Sequence, residues 1–154
     1  MGRIAGIRIK NYGSLKDIKM GKLLFDNRGK ELANMNAIIG QSGTGKSTLA
    51  DAFGFLADCL EKGVEVACDL NGRGGYEKLI SQNVVEPIEF EIYYRETSNE
   101  PPITYELSIG LDKYDRPVVE KERLRQRRAN ERYGRPMSFL FLEYGKGFAF
   151  KGNN

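Results

Sequence analysis

Eight consecutive residues in the first third of the chain have the types and spacing needed to hold a phosphate group. They match the pattern G-x-x-x-x-G-K-[ST] and are Gly40, Gln41, Ser42, Gly43, Thr44, Gly45, Lys46 and Ser47. Glycines at such spacing let successive backbone N–H groups turn toward one anion. We expect Lys46 to reach the β- and γ-phosphates of a nucleoside triphosphate, Ser47 to ligate Mg²⁺ and Thr48 to contact the α-phosphate. The sequence therefore predicts a binding site for a nucleoside triphosphate and Mg²⁺ at residues 40–48.

The segments on either side of this loop have the patterns that a phosphate site requires. Residues 35–39 (MNAII) form a short apolar run that predicts a buried strand leading into the loop. After the loop, apolar residues recur at helical spacing, which predicts a helix from Lys46: Leu49, Ala52, Phe53, Leu56 and Leu60. Gly63 marks the expected end of this helix. Gly54 within it costs about 1 kcal/mol relative to alanine, which indicates a close packing contact at that position.

The remainder of the chain is predominantly β. Alternating residues predict a hairpin from strands at 4–9 and 15–20, followed by a short strand at 23–25. Residues 69–83 are interpreted as a loop with one helical turn at 76–80. Further strands are expected at 88–94, 103–111, 117–128, 139–144 and 148–150. Successive antiparallel strands argue against a doubly wound kinase, in which strands and helices alternate.

Composition limits the possible chemistry of this 154-residue chain. It contains no histidine, which excludes a Ser-His-Asp triad and a histidine general base. Its two cysteines are too few for a disulfide framework or, without histidine, for a zinc site, and Cys59 is expected to be a small core residue of the helix. No apolar run approaches the ~18 residues of a membrane span, and no signal peptide is evident. We therefore expect a cytoplasmic protein without a membrane partner.

Hydrolysis of a nucleotide needs more than the phosphate loop. An acidic residue at the end of an apolar strand must help to hold Mg²⁺, and another group must position the attacking water. The best acidic candidate is Glu143, at the end of FLFLE, but the following YGKG favours a surface hairpin. We therefore interpret 139–143 as an ordinary strand, and we expect the chain to bind nucleotide but to hydrolyse it poorly on its own.

Three stretches together resemble a known family. They are IRIKNYGSLKD at 7–17, NAIIG with the loop at 36–48, and LADAF at 49–53. They look like the N-terminal part of the ABC-type ATPases of the RecF, SMC and overcoming-lysogenization-defect group, and of the AAA-type ATPases related to them. The resemblance implies an α/β fold of α+β character, with a strand–loop–helix unit and an antiparallel β subdomain. It implies one nucleotide-binding lobe over 1–154, divided into 1–64, 65–85 and 86–154, which is expected to be an incomplete domain.

The resemblance also implies roles for residues outside the loop. The family has a glutamine that contacts Mg²⁺ and the attacking water from a loop before a strand, and Gln82 lies six residues before Ile88. Gln82 is thus a candidate catalytic and metal-binding residue, and Lys46 is the other catalytic candidate. The alternative is that Gln82 is a polar residue of the surface. The family's signature turn and switch histidine are not found here. The resemblance therefore implies that ATP and Mg²⁺ are bound here and that ATP is hydrolysed only in a longer protein, in which two heads form a dimer. No residue pattern distinguishes ATP from GTP.

Two other functions are compatible with the sequence. One is a small P-loop kinase that is complete in this chain. The other is a nucleic-acid-binding module with a regulatory nucleotide site, because a strand at 117–127 would place four basic residues on one face: Lys121, Arg123, Arg125 and Arg127. We favour a solvated strand face that nearby glutamates partly neutralise, and keep DNA as the alternative partner.

Overall fold

One antiparallel sheet of seven strands organises the chain in a computed structural model that describes residues 2–26, 28–128 and 134–150. The spatial order of the strands is β2-β1-β3-β4-β5-β6-β7. Their bounds are β1 Arg3–Tyr12, β2 Leu15–Gly21, β3 Ile88–Arg95, β4 Ile103–Leu111, β5 Pro117–Gln126, β6 Met137–Glu143 and β7 Lys146–Ala149. The N-terminal hairpin and the later strands, which lie far apart in sequence, therefore form a single sheet through the pairing of β1 with β3.

The alternating apolar residues define the buried face of this sheet. Ile9 of β1 lies opposite Phe90 of β3, and Phe90 lies opposite Leu107 of β4. All three are buried. Residues that lie opposite one another on neighbouring strands point to the same side of the sheet, and this side faces the helices. We call this the inner face and the opposite side the outer face. The predicted hairpins at the start and end of the chain and the predicted strand pair at 88–111 are confirmed.

Among the described residues between β2 and β3 there are three helices: α1 Lys46–Lys62, α2 Val64–Asp69 and α3 Tyr76–Leu79, with a 3₁₀ turn at Leu70–Gly72. The ring of Phe55 on α1 lies 5.3 Å from that of Tyr12 and 6.2 Å from that of Phe90, centroid to centroid. These rings join α1 to the sheet. None of the described helices has the length and apolarity of a membrane span.

The buried side of α1 differs in part from the predicted side. Leu49, Ala52 and Leu56 are buried as expected, but Leu60 is 62% exposed, while Phe55 and Cys59 are buried. The reason is that Phe55 packs against Tyr12 and Phe90 of the sheet while α2 packs against α1, so the buried side of α1 includes Phe55 and Cys59. The predictions of a helix from Lys46, its end at Gly63, a helical turn near 76–80 and a core position for Cys59 are confirmed.

Two predicted strands are not formed. Residues 35–39 adopt no strand, and Met35 and Ile39 are 90% and 93% exposed. The strands of the described residues all belong to the antiparallel sheet, and none of them pairs with this run, so it lacks the partner that a strand needs. Residues 23–25 form a turn instead of a strand, because Leu23 and Leu24 fold onto the outer face beside Ala5 and Tyr93.

Candidate functional site

The phosphate loop lies beside the tip of the β1–β2 hairpin. Ser14 in that tip donates a hydrogen bond to Oγ1 of Thr48 at 3.2 Å. A Cβ atom on Gly45 would lie 3.3 Å from Cδ2 of Leu15, so the loop backbone approaches the hairpin closely. The hairpin tip therefore supports the end of the loop from which α1 begins.

Two glycines give the loop its curvature. Gly43 has a φ of 82° and Gly45 a φ of 92°, both in the left-handed region that residues with a Cβ avoid. Gly45 is the N-cap of α1, and its carbonyl accepts the first helical hydrogen bond, from Leu49 N–H at 2.9 Å. The sharp turn and the immediate start of the helix place the N-terminal N–H groups of α1 at the loop.

The Lys46 side chain folds back into the loop. Its ammonium donates hydrogen bonds to the carbonyl of Gly40, to the carbonyl of Gln41 at 2.6 Å and to Oγ1 of Thr44 at 3.4 Å. Thr44 in turn donates its hydroxyl proton to the Gln41 carbonyl at 2.7 Å. A cation is thus held at the N-terminal end of a helix, where the helix dipole also favours negative charge. This arrangement suits the phosphates of a nucleotide.

The other predicted loop residues have the exposure that a ligand site needs. Gln41, Ser42 and Ser47 are exposed, and Thr48 is half-buried beside Ser14. Ser47 is in the first turn of α1, adjacent to Lys46. In the part of the chain that the structure describes, no cluster of three or more acidic or cysteine side chains could hold a metal ion alone. Mg²⁺ at Ser47 would therefore need further ligands from a nucleotide and water, as is usual for this ion.

Gln82 lies on the same side of the molecule as the hairpin tip. The preceding residue, Ser81, donates its hydroxyl proton to the Gly13 carbonyl at 2.7 Å and its N–H to the Asn11 carbonyl at 3.0 Å. Gln82 itself is exposed in a turn, and among the described residues no hydrogen bond joins it to the phosphate loop. The structure thus brings its backbone toward the hairpin tip that flanks the loop, and its catalytic role stays a prediction.

Glu143 lies toward the β7 edge of the sheet, far from the phosphate loop. It ends β6, whereas the phosphate loop adjoins the turn between β1 and β2. Four strand spacings separate β1 from β6, which is roughly 19 Å at ~4.8 Å per strand. This distance agrees with the interpretation of 139–143 as an ordinary strand.

A buried arginine close to the loop's helix was not predicted from the sequence. The Arg73 side chain is only 3% exposed. Its guanidinium donates hydrogen bonds to Asp51 at 3.1 Å, to Asp58 at 2.6 Å and to the Ala67 carbonyl at 3.1 Å. It also lies 5.5 Å from the centroid of the Phe55 ring. Gly54 allows this approach, since a Cβ there would lie 3.3 Å from Nη2 of Arg73, which confirms the predicted close contact.

The same network reaches the hairpin. The Tyr12 hydroxyl donates a hydrogen bond to the other carboxylate oxygen of Asp51. Burial, and then this hydrogen bond, raise the pKa of Tyr12 well above its ordinary value of 10.0. The hydrogen bond from Arg73 holds the pKa of Asp58 below its ordinary 3.8. The network therefore links β1, α1 and the loop before α3 behind the phosphate loop, a set of contacts that only the folded chain brings together.

The two cysteines lie in the core away from the loop. Burial raises the pKa of Cys59 to about 12 and that of Cys68 to about 11, and both are free thiols. Neither is therefore a thiolate at neutral pH, and neither has the ionisation of a nucleophile.

Comparison with known proteins identifies the family. No curated protein and no solved structure matches the chain. A family model described as "AAA domain, putative AbiEii toxin, Type IV TA system" matches residues 35–146 and therefore includes the whole phosphate loop. Because this match covers more than two thirds of the sequence, the chain belongs to this AAA domain family of P-loop NTPases.

Proposed function

We propose that the chain is the nucleotide-binding part of an ABC-type, RecF/SMC-like ATPase head and that it binds ATP with Mg²⁺ through residues 40–48. The observation that carries this proposal is the Lys46 ammonium, which lies inside a glycine-turned loop at the N-terminus of α1. Backbone N–H groups of the loop would hold the phosphates, Lys46 would neutralise their charge, and Ser47 would ligate Mg²⁺. When bound, ATP with Mg²⁺ would supply the phosphoryl group whose transfer to water is the reaction.

The exposed run 35–39 supports a composite site. Met35 and Ile39 are almost fully exposed directly before the loop, although their sequence is that of a buried strand. We propose that strands outside this chain pair with the run in the working ATPase. We also propose that two heads associate around ATP, with Gln82 acting on Mg²⁺ and water only in that assembly, in the cytoplasm. The entirely antiparallel sheet of seven strands favours this function over that of a small kinase, in which strands and helices alternate.

Titration of the chain with a fluorescent ATP analogue tests the proposal. Lys46→Ala removes charge-assisted hydrogen bonds worth about 1.5–3 kcal/mol each, so we expect binding to weaken at least about tenfold. Lys62→Ala, at the other end of α1, is the matched control and should bind as the unaltered chain does. Chelation of Mg²⁺ should weaken nucleotide binding by the unaltered chain. The effect should be smaller for Ser47→Ala, because this variant lacks the hydroxyl that would ligate the ion. Equal binding by Lys46→Ala and the unaltered chain would show that the loop does not hold the nucleotide.

A further inference from the structure

Exposed aromatic rings lie together on the outer face at the β7 edge of the sheet. Phe141 of β6 is directly opposite Phe148 of β7, and their ring centroids are 6.0 Å apart. Phe150 follows two residues later, with its ring 5.2 Å from that of Phe148 in an edge-on arrangement. Phe148 is 44% exposed and Phe150 is 63% exposed. These three residues form what we call the aromatic face.

Cationic side chains lie in register with the aromatic face. Arg123 of β5 is opposite Phe141, its guanidinium lies 5.4 Å from that ring centroid, and its Nε donates to Ser138 at 2.6 Å. One row along the strands, Glu143 lies between Lys121 and Lys146. Within the described ranges of the chain, none of Lys121, Arg123 and Lys146 forms an ion pair. The face therefore carries three cations and one carboxylate.

Arg125, on the same strand, differs from Arg123 because it is buried and ion-paired. It is 9% exposed, its guanidinium is bonded to Glu106 at 2.7 Å, and it lies 5.0 Å from the centroid of the Phe25 ring. Its charge is thus satisfied inside the protein. The predicted basic stripe therefore divides into two parts. Arg125, and Arg127 just beyond the end of β5, bond to groups of the protein, Arg127 to the Leu24 carbonyl at 3.4 Å. Lys121 and Arg123 form an accessible part that lies beside the rings of β6 and β7.

We propose that the aromatic face, with Lys121, Arg123 and Lys146, binds single-stranded nucleic acid. Exposed rings beside cations are the combination that such strands need, because bases stack on the rings while phosphates contact the cations. In a duplex the bases are already stacked and paired, so their faces cannot reach Phe148 and Phe150. Contacts of this kind read the faces of the bases and not their edges, so little sequence preference is expected. The proposal does not depend on the nucleotide site, which lies near the opposite edge of the sheet, beside the β1–β2 turn.

Fluorescence anisotropy with labelled oligonucleotides tests this proposal. Homopyrimidine single strands of DNA and of RNA form two arms, and the matching duplex forms a third. We expect both single strands to bind more tightly than the duplex. The double variant Phe148→Ala/Phe150→Ala should bind at least about tenfold more weakly, since stacking contributes strongly for each base. Arg123→Gln should reduce the slope of log K against log salt by about 0.7, the value for one phosphate contact on a single strand.

Tyr114→Ala is the matched control. Tyr114 is 64% exposed and has Lys113 and Arg116 beside its ring, but it lies in the β4–β5 turn away from the aromatic face. It should leave binding unchanged. Absence of single-strand binding at low salt, equal binding of the duplex, or an unchanged affinity in the folded double variant would each overturn the proposal. Self-association that the double variant abolishes, without oligonucleotide binding, would show instead that a second copy covers this face.

Discussion

Replacement of Arg73 by methionine tests the packing behind the phosphate loop. Arg73 is 3% exposed and donates to two carboxylates and one carbonyl, so its loss leaves Asp51 and Asp58 without their shared cation. Breaking a buried pair by removing one partner costs about 3–5 kcal/mol, mostly because the remaining charge is uncompensated. Asp51 is 40% exposed and water can solvate it, and Asp58 keeps its ion pair with Lys62 at 3.6 Å, so we expect the lower end, about 3 kcal/mol.

Urea unfolding followed by circular dichroism measures this change in the free energy of unfolding. Arg116→Met is the matched control, because Arg116 pairs with Asp112 at 2.9 Å but is 61% exposed. Exposed pairs of this kind contribute about 0–1 kcal/mol. If Arg73→Met cost no more than Arg116→Met, the inference that Arg73 joins β1, α1 and the loop before α3 would be refuted.

Three further predictions concern the pH dependence, the loop and the thiols. The pKa of Asp58 is lower in the folded state than its ordinary 3.8, so its ion pair with Arg73 contributes fully to stability above pH 3.8. This contribution is lost as the pH falls through the folded-state pKa. Urea unfolding at several pH values should therefore show that the loss of unfolding free energy caused by Arg73→Met becomes smaller in acid. Gly45→Ala combines a φ of 92° with a 3.3 Å contact to Leu15, so calorimetric melting should show a larger loss of stability than for Gly43→Ala, whose Cβ would meet nothing within 4 Å. Both should cost roughly 1–2 kcal/mol from the backbone alone, and equal losses would contradict the close approach to the hairpin. Cys59 and Cys68 should react with a thiol reagent at pH 8 only after unfolding, since burial raises their pKa values to about 12 and 11; rapid reaction of the folded chain would contradict their core position.

The local patterns of the sequence were sufficient to predict most of the fold. Strand alternation is a property of neighbouring residues, so β1, β3 and β4 could be located before any pairing was known. The helix after the loop was predicted correctly because the motif and the apolar spacing agree on its start at Lys46. The candidate loop residues could be predicted for a similar reason, since the phosphate-loop motif consists of consecutive positions.

Features that depend on distant parts of the chain could not be predicted. The run 35–39 has the composition of a strand, but a strand also needs a partner, and no described strand pairs with it. The buried side of α1 includes Phe55 because Tyr12, Phe90 and Arg73, all distant from it in sequence, pack on its ring. The aromatic face likewise needs the register between β5, β6 and β7, which aligns Arg123, Phe141 and Phe148.

Isothermal titration calorimetry with ATP and Mg²⁺ tests the central claim most directly, because it measures binding of the proposed ligand without a label. The claim is that the loop at 40–48, with Lys46 inside it, is a nucleotide site. One-to-one binding by the unaltered chain and by Lys62→Ala, with an affinity at least about tenfold weaker for Lys46→Ala, is the predicted result. The same heat and affinity in all three proteins would contradict the claim.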